Sequence, residues 1–308
     1  MSGGSTARVR AQAKINLFLR VLAHETSGYH QIETLFCRIA LGDDVVVRTT
    51  ARGRSLHCAG DRVPRGGLGP VERNLAWRAA AAYSELAGWP DGFAIEIEKR
   101  IPVGGGLGGG SADAGGVLRA LNALNPAPLP PGALLTLAGS LGADVPFCTQ
   151  DESALCLAWG RGEHLLALPA LPERECWLVC PDVAVATAEA YGWLAELPQH
   201  RAPVLYQLEP LGTWEGVARH ARNDFEEVVA ARHPVIARAL GTLRSPGAEE
   251  LVGEGALIQL TGSGSTVFAL LGAHRHVAGR TGWRSDEPGV EFVHTRTASR
   301  VEPVILSE

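Results

Sequence analysis

Residues 101–116 read IPVGGGLGGGSADAGG, and six of the seven positions from Gly104 to Gly110 are glycine. A backbone cleared of side chains in this way lets another group lie directly against it. Just before it, Ile95, Ile97 and Ile101 alternate with Glu96, Glu98 and Arg100, the period-two pattern of a strand with one buried face. Just after it, Ser111 stands where a helix cap is expected, ahead of Val117, Leu118 and Leu121 at helical spacing. Strand, glycine loop and helix N-terminus together form an anion site, because unpaired backbone N–H groups and the positive helix end converge where no Cβ obstructs approach. The guest this predicts is a phosphate.

Other glycine-rich readings fit less well. A flexible linker is not usually framed by an amphipathic strand and a capped helix. A Walker-type loop requires Gly-Lys-Ser/Thr, and this loop has no lysine. Gly104, Gly106 and Gly109 match the dinucleotide fingerprint, but that fingerprint also needs an acidic residue about 20 positions on, ending the next strand. Residues 122–133 are NALNPAPLPPGA, with four prolines and no carboxylate, so the nicotinamide reading fails on context.

At 308 residues, 46% hydrophobic and 20% charged, the chain has room for two cores and no need of a disulfide or metal staple. A net charge of −5 supplies no broad basic field, which argues against general nucleic-acid binding and points to a small-molecule partner. The six cysteines have no C-x-x-C spacing and the ten histidines form no Cys/His cluster, so buried free thiols and no structural metal are expected. His274 and His276 fall on different faces of an expected helix. Asn16 and Arg20 interrupt the apolar run from Ile15 to Leu22, so it reads as neither signal peptide nor membrane span, and a cytoplasmic, reducing setting is expected. Lysine occurs only at Lys14 and Lys99 among 28 basic residues. Where arginine serves every generic positive charge, a lysine marks a position suited to a compact ammonium.

Toward the N-terminus, residues 9–22 read as a strand with Lys14 and Asn16 on one face and Ala13, Ile15, Leu17 and Leu19 on the other. A lysine inside such a strand by itself reads as an edge residue. A second strand is expected over 32–41, a hairpin from 44–50 and 55–58, a loop over 62–69, and a helix over 74–86 ended by Gly88. Toward the C-terminus, prolines at 126–131 break the chain before a helix over 132–141. Residues 142–147, GADVPF, then set Asp144 among small and apolar residues, the form of a turn closed by an Asx-type bond. A strand over 153–159 leads to a domain boundary near Leu171. Beyond it the pattern predicts a strand over 176–180, helices over 187–197, 214–220, 223–232 and 235–243, and strands over 257–261, 266–271 and 290–295 with a short helix before the last. Residues 262–265, GSGS, form a hairpin turn between the first two of these late strands.

The glycine loop resembles the ATP-phosphate loop of the GHMP small-molecule kinases, matching its pattern at Pro102, Gly106, Leu107, Gly108 and Ser111. AKINLFLRV at 13–21 and GYHQIETLF at 28–36 narrow the resemblance to the branch of that family acting on a cytidylyl methylerythritol in the non-mevalonate route to isoprenoids. The resemblance extends from Ala13 almost to the C-terminus. It implies a two-domain α/β GHMP kinase fold, with an ATP-binding domain over 1–170, a second α/β domain over 171–308 and the active site in the cleft between them. ATP and Mg²⁺ are the implied cofactors, and the implied reaction is phosphorylation of the substrate's 2-hydroxyl.

The resemblance also implies roles for individual residues. Pro102, Val103, Gly104, Gly105, Gly106, Leu107, Gly108, Gly109, Gly110, Ser111 and Ala112 would surround the nucleotide phosphates. Asn74 would lie near the adenosine, and the Ser111 hydroxyl would reach Mg²⁺ or a phosphate oxygen. Asp144 would sit beside the reacting hydroxyl with Lys14 opposite, while residues 262–265 pack toward the phosphates. Tyr29 and Tyr191 would sandwich the cytosine, His30 would bond its polar edge, and Asn16 would lie near the methylerythritol hydroxyls. No protein ligand of the metal is assigned; Asp113, in the first helical turn, is the nearby carboxylate. Two alternatives stay open. A homoserine or mevalonate kinase of the same family would share the loop but not need the Tyr29–His30 pair, and a nucleotide-binding regulator without turnover would use Lys14 and Asp144 structurally. The sequence assigns no oligomeric state.

Overall fold

The computed structural model describes residues 5–24, 30–197, 209–272 and 288–307. Gly28, Tyr29, His274, His276 and the short helix expected before the last of the late strands lie outside the described residues. Among the described residues two sheets form, each with helices packed on it around an apolar core. The first half contains β1 (Thr6–His24), β2 (His30–Thr50), β3 (Arg54–Ala59), α1 (Leu75–Ala87), β4 (Gly92–Glu98), α2 (Gly109–Leu124), α3 (Pro131–Leu141), α4 (Val145–Thr149), β5 (Leu155–Gly160) and β6 (His164–Leu168). The second contains β7 (Glu175–Pro181), α5 (Thr187–Ala195), α6 (Trp214–His220), α7 (Glu226–Arg232), α8 (Pro234–Leu243), α9 (Glu249–Val252), β8 (Leu257–Leu260), β9 (Val267–Leu270) and β10 (Val290–Arg296). The last strand, β11 (Val304–Ser307), returns to the first sheet and pairs antiparallel with β1.

β2 is the spine of the first sheet. One edge pairs with β1, while the other is shared by β5 along residues 32–37 and β4 along residues 44–50. The expected hairpin from 44–50 and 55–58 is corrected here, because β4 lies between β2 and β3 and pairs with β3 in parallel. Its Ile95 and Ile97 are buried, whereas no residue of β3 is fully so, and the more apolar strand takes the interior position.

β1 departs from strict alternation. Its pairing with β2 is irregular between Asn16 and Phe18, and a bulge there shifts the parity of every side chain beyond it. Leu19, expected on the face of Ile15 and Leu17, therefore turns to the core of the second half and lines the cleft beside Lys14 and Asn16.

α2 approaches its neighbours at two adjacent glycines. A Cβ on Gly115 would stand 2.6 Å from the Cys148 carbonyl carbon of α4, and one on Gly116 would stand 3.3 Å from the Ala11 Cβ of β1. Among the described residues no helix is long and apolar enough to cross a membrane. Helix propensity alone makes Gly115→Ala stabilising by about 1 kcal/mol. The backbone clash reverses that sign, and a net loss of about 1–3 kcal/mol in urea unfolding is expected.

Candidate active site

β4 ends at Glu98, and α2 starts at Gly109 with Gly108 as its N-cap at φ 72°. The cap expected at Ser111 is thus corrected: Ser111 is the third helical residue, and no side chain caps the helix. The consequence is a bare N-terminus, because the N–H groups of Gly109, Gly110 and Ser111 precede the first N–H that has an intrahelical acceptor. The Ala112 N–H already donates to the Gly108 carbonyl at 2.8 Å. Gly106, at φ 76°, lies so close to the turn between β8 and β9 that a Cβ would overlap the Thr261 carbonyl oxygen. Thr266 N–H donates to the Gly105 carbonyl at 3.2 Å, which ties the two loops together.

Lys14 runs across this junction. Its N–H donates to the Leu107 carbonyl at 3.0 Å. A Cβ on Gly108 would stand 3.1 Å from the lysine stem. The ammonium donates to Asn16 Oδ1 at 2.8 Å, lies 3.3 Å from Asp144 Oδ2, and sits 5.4 Å from the centre of the Phe36 ring. Lys14 is only 3% exposed, so it is no edge residue. Asp144 is the N-cap of α4 but makes no side-chain cap bond. Its side chain, 29% exposed, faces the cavity instead of closing an Asx-type turn.

Asn16 is 1% exposed and is occupied within the protein. Its Oδ1 accepts from Lys14 and from the Gly262 N–H at 2.9 Å, and its Nδ2 donates to Thr34 Oγ1 at 2.8 Å. The hairpin is also held by Asn223, which donates to the carbonyls of Leu260 at 2.7 Å and Gly262 at 2.9 Å.

A cavity of about 870 Å³ opens where these elements meet, lined by Lys14, Asn16, His30, Gly106, Gly108, Asp144, Tyr191 and Gly262 among others. His30 and Tyr191 lie face to face at 4.0 Å and 11° on its wall. Burial, with a smaller push from the Asp144 carboxylate, raises the Tyr191 phenol to about 12. A second, smaller cavity of about 170 Å³ is lined by Asn74, Pro102, Val103, Gly104, Gly109 and Gly110. The glycine loop is therefore a wall between two spaces: Asn74 shares the smaller with Pro102, Val103, Gly104, Gly109 and Gly110, away from Lys14, Asn16, His30, Asp144 and Tyr191 in the larger, and its Oδ1 caps α1 through the Ala76 N–H at 2.9 Å.

Lys99 and Asp113 also line the small cavity and belong, with Asp43, to a nearly buried ionic group that motif reading misses. Lys99 bonds both Asp43 Oδ2 and, at 2.6 Å, Asp113 Oδ2. Asp43 Oδ1 accepts from the N–H groups of Arg100 at 2.5 Å and Ile101 at 2.8 Å, fixing the entry to the glycine loop. The signal available in the sequence was the rarity of lysine. Two carboxylates share one ammonium, so burial and then mutual repulsion outweigh Lys99, and the Asp113 carboxyl is pushed up to about 8.

Asp113 is thus committed to Lys99, and its Oδ1 has no partner. Among the described residues no three His, Cys, Asp or Glu side chains gather to hold a metal. Mg²⁺ commonly binds through substrate phosphates and one or two protein oxygens. The half-buried Ser111 hydroxyl, at the uncapped N-terminus of α2, is an oxygen of that kind, so the residues present fit a metal carried in on a nucleotide. All six cysteines are free, and burial raises the thiols of Cys37, Cys148 and Cys156 to about 12, which makes them poor nucleophiles.

Residues 74–152 match the model of the GHMP kinases N terminal domain. The chain is 37% identical over 293 residues to the 4-diphosphocytidyl-2-C-methyl-D-erythritol kinase of Moorella thermoacetica, covering 93% of this chain and 97% of that one. It resembles a solved structure of 4-(cytidine 5'-diphospho)-2C-methyl-D-erythritol kinase at 38% identity and TM-score 0.66, covering 85% of this chain and 89% of the other. A homoserine kinase structure from Cytophaga hutchinsonii, at 19% identity and TM-score 0.62 over 100% of this chain and 98% of its own, shares the fold.

The Asp43–Lys99–Asp113 group sets a pH dependence. With the Asp113 carboxyl raised from 3.8 to about 8 in the folded state, the native protein holds a proton that the unfolded chain has released between those pH values. Stability is therefore lost as pH rises through that window. Asp113→Asn keeps the neutral form, so the difference in Tm between variant and parent is expected to grow in the variant's favour from pH 6 to pH 8.5 by scanning calorimetry.

Proposed function

The chain belongs to the family of 4-diphosphocytidyl-2-C-methyl-D-erythritol kinases, within the GHMP kinases, and from that premise we infer how its cleft carries the reaction. It is an ATP-dependent small-molecule kinase that phosphorylates 4-diphosphocytidyl-2-C-methyl-D-erythritol in the isoprenoid pathway. We propose residues 1–170 as the nucleotide-holding domain and 171–308 as the domain that completes the acceptor site, with β11 crossing back. The six free cysteines suit a reducing cytoplasm.

The observation that carries the mechanism is the 3.3 Å contact of Lys14 with Asp144 on the wall of the large cavity, beside the open N-terminus of α2. Phosphoryl transfer asks a protein mainly to position two reactants and to neutralise charge. The N–H groups of Gly109, Gly110 and Ser111 hold the nucleotide phosphates. Residues 102–104 and Asn74 receive the adenosine in the small cavity. Mg²⁺, when bound with the nucleotide, neutralises phosphate charge, and the Ser111 hydroxyl is the residue that would hold it.

The acceptor's 2-hydroxyl oxygen attacks the γ-phosphorus as the bond to the β–γ bridging oxygen breaks and ADP leaves. In a loose transition state the hydroxyl proton departs late, so the Asp144 carboxylate orients the hydroxyl and takes that proton at the end. Lys14 stabilises the charge on the transferred group. Asn16 acts on the substrate through Lys14, since its own polar atoms are engaged. His30 covers the ring of Tyr191 with no gap for a base between them. The cytosine takes the place of the imidazole on that face, which frees His30 for the base's polar edge, and Tyr29 closes the sandwich.

ADP release with ATP and Mg²⁺ is expected for 4-diphosphocytidyl-2-C-methyl-D-erythritol and absent for methylerythritol 4-phosphate, homoserine and mevalonate. Turnover on another of these acceptors overturns the substrate, and ATP binding without ADP release supports a regulator instead. Asp144→Asn and Lys14→Ala are each expected to lower kcat by about 100-fold or more while ATP affinity changes little; near-normal turnover in either removes its role. Tyr191→Ala is expected to raise KM for the cytidylyl substrate and leave KM for ATP unchanged. An equal rise in both indicates a collapsed pocket.

A further inference from the structure

α4 is five residues long, too short for its own hydrogen bonds to fix its direction, yet its N-cap is Asp144. Its C-terminal end is held by Arg38 of β2. One Arg38 nitrogen, Nη2, donates to the carbonyls of Phe147 at 2.5 Å and Gln150 at 2.9 Å. The guanidinium lies 4.8 Å from the centre of the Phe147 ring, and that ring stacks at 4.9 Å on Phe36, the residue beneath the Lys14 ammonium. In the β1–β2 pairing, Arg38 is the residue directly opposite Lys14.

A closed circuit results, from Lys14 across the strand pair to Arg38, through α4 to Asp144, and across 3.3 Å back to the ammonium. Arg38 is 1% exposed, and its hydrogen bonds go to carbonyl oxygens rather than a carboxylate. Burying a charge in that way is a poor route to stability, since an apolar side chain of similar volume commonly serves as well or better. What a guanidinium adds is direction: donors that fix two carbonyls of a helix end, where the unpaired C=O groups collect.

We propose that Arg38 is a positioning residue for phosphoryl transfer, anchoring the C-terminus of α4 to the strand pair that carries Lys14 and so setting the separation of Lys14 and Asp144. The proposal rests on the reading of Asp144 as acceptor of the hydroxyl proton. A misplacement of about 1 Å costs on the order of 100-fold in rate, so displacement of the carboxylate is read in kcat and not in binding.

Arg38→Lys, Asp144→Asn and the double variant are compared by single-turnover transfer from ATP to 4-diphosphocytidyl-2-C-methyl-D-erythritol, with folded protein quantified by circular dichroism. Arg38→Lys is expected to lower the rate about 10- to 100-fold with KM for both substrates within about 2-fold of the parent. In the Asp144→Asn background the same change is expected to cost about 2-fold or less, because its effect passes through the carboxylate already removed. Phe147→Leu, which takes away the ring under the guanidinium, gives the same non-additive pattern and serves if Arg38→Lys does not fold.

Equal losses in both backgrounds, an unchanged rate, or parallel rises in both KM values overturn the positioning role while leaving Asp144 in place. Near-normal transfer by Asp144→Asn alone overturns the reading of Asp144, and the positioning claim with it.

Discussion

At Gly106 the phosphate loop and the turn between β8 and β9 approach so closely that any side chain would overlap the Thr261 carbonyl. The active cleft depends on that contact. It brings the Gly262 N–H within 2.9 Å of Asn16 Oδ1, and Asn16 in turn fixes the Lys14 ammonium. It also carries the second half of the molecule onto β1, where the Gln259 side chain donates to the carbonyls of Asn16 at 2.7 Å and Leu17 at 2.8 Å. Two backbones in contact leave little freedom for the ammonium between them. A lysine that is already ordered loses little entropy when phosphate arrives.

The two lysines hold opposite sides of the same loop by different physics. Lys99 is sealed behind it, and its carboxylate Asp43 fixes the backbone of Arg100 and Ile101, where β4 leads into the glycines. Removing one partner from such a buried pair typically costs about 3–5 kcal/mol, so this group is structural in weight. Lys14 faces the cavity, and its carboxylate Asp144 stays partly exposed. In this pair the ammonium is buried and the carboxylate is partly exposed. Its value is in where the charges are held.

The glycine-loop part of the candidate site is legible because its chemistry is local in the chain. The glycine run, the strand before it and the helix after it are contiguous, whereas Lys14 and Asp144, which by themselves read as an edge lysine and a turn carboxylate, are singled out by the family resemblance. Ser111 is a good capping residue by type, but the chain caps the helix three residues earlier, at a left-handed Gly108. Sequence neighbours are the default strand partners, which favours β2 with β3, but β4 arrives later in the chain and inserts between them. The reversal at Leu19 comes from a bulge, and alternation carries no mark of one. Asp43 and Arg38 were invisible for a different reason: their partners lie 56 or more positions away, at Lys99, Phe147 and Gln150.

The central claim is that the Lys14–Asp144 pair and the open N-terminus of α2 face one reacting centre. A crystal structure of the protein with an unreactive ATP analogue, Mg²⁺ and 4-diphosphocytidyl-2-C-methyl-D-erythritol tests it directly. The account predicts the 2-hydroxyl within about 3.2 Å of an Asp144 oxygen, Lys14 on the γ-phosphoryl, and the phosphates on the N–H groups of Gly109 to Ser111. A nucleotide bound away from those N–H groups, or a 2-hydroxyl with no path to Asp144, would contradict it.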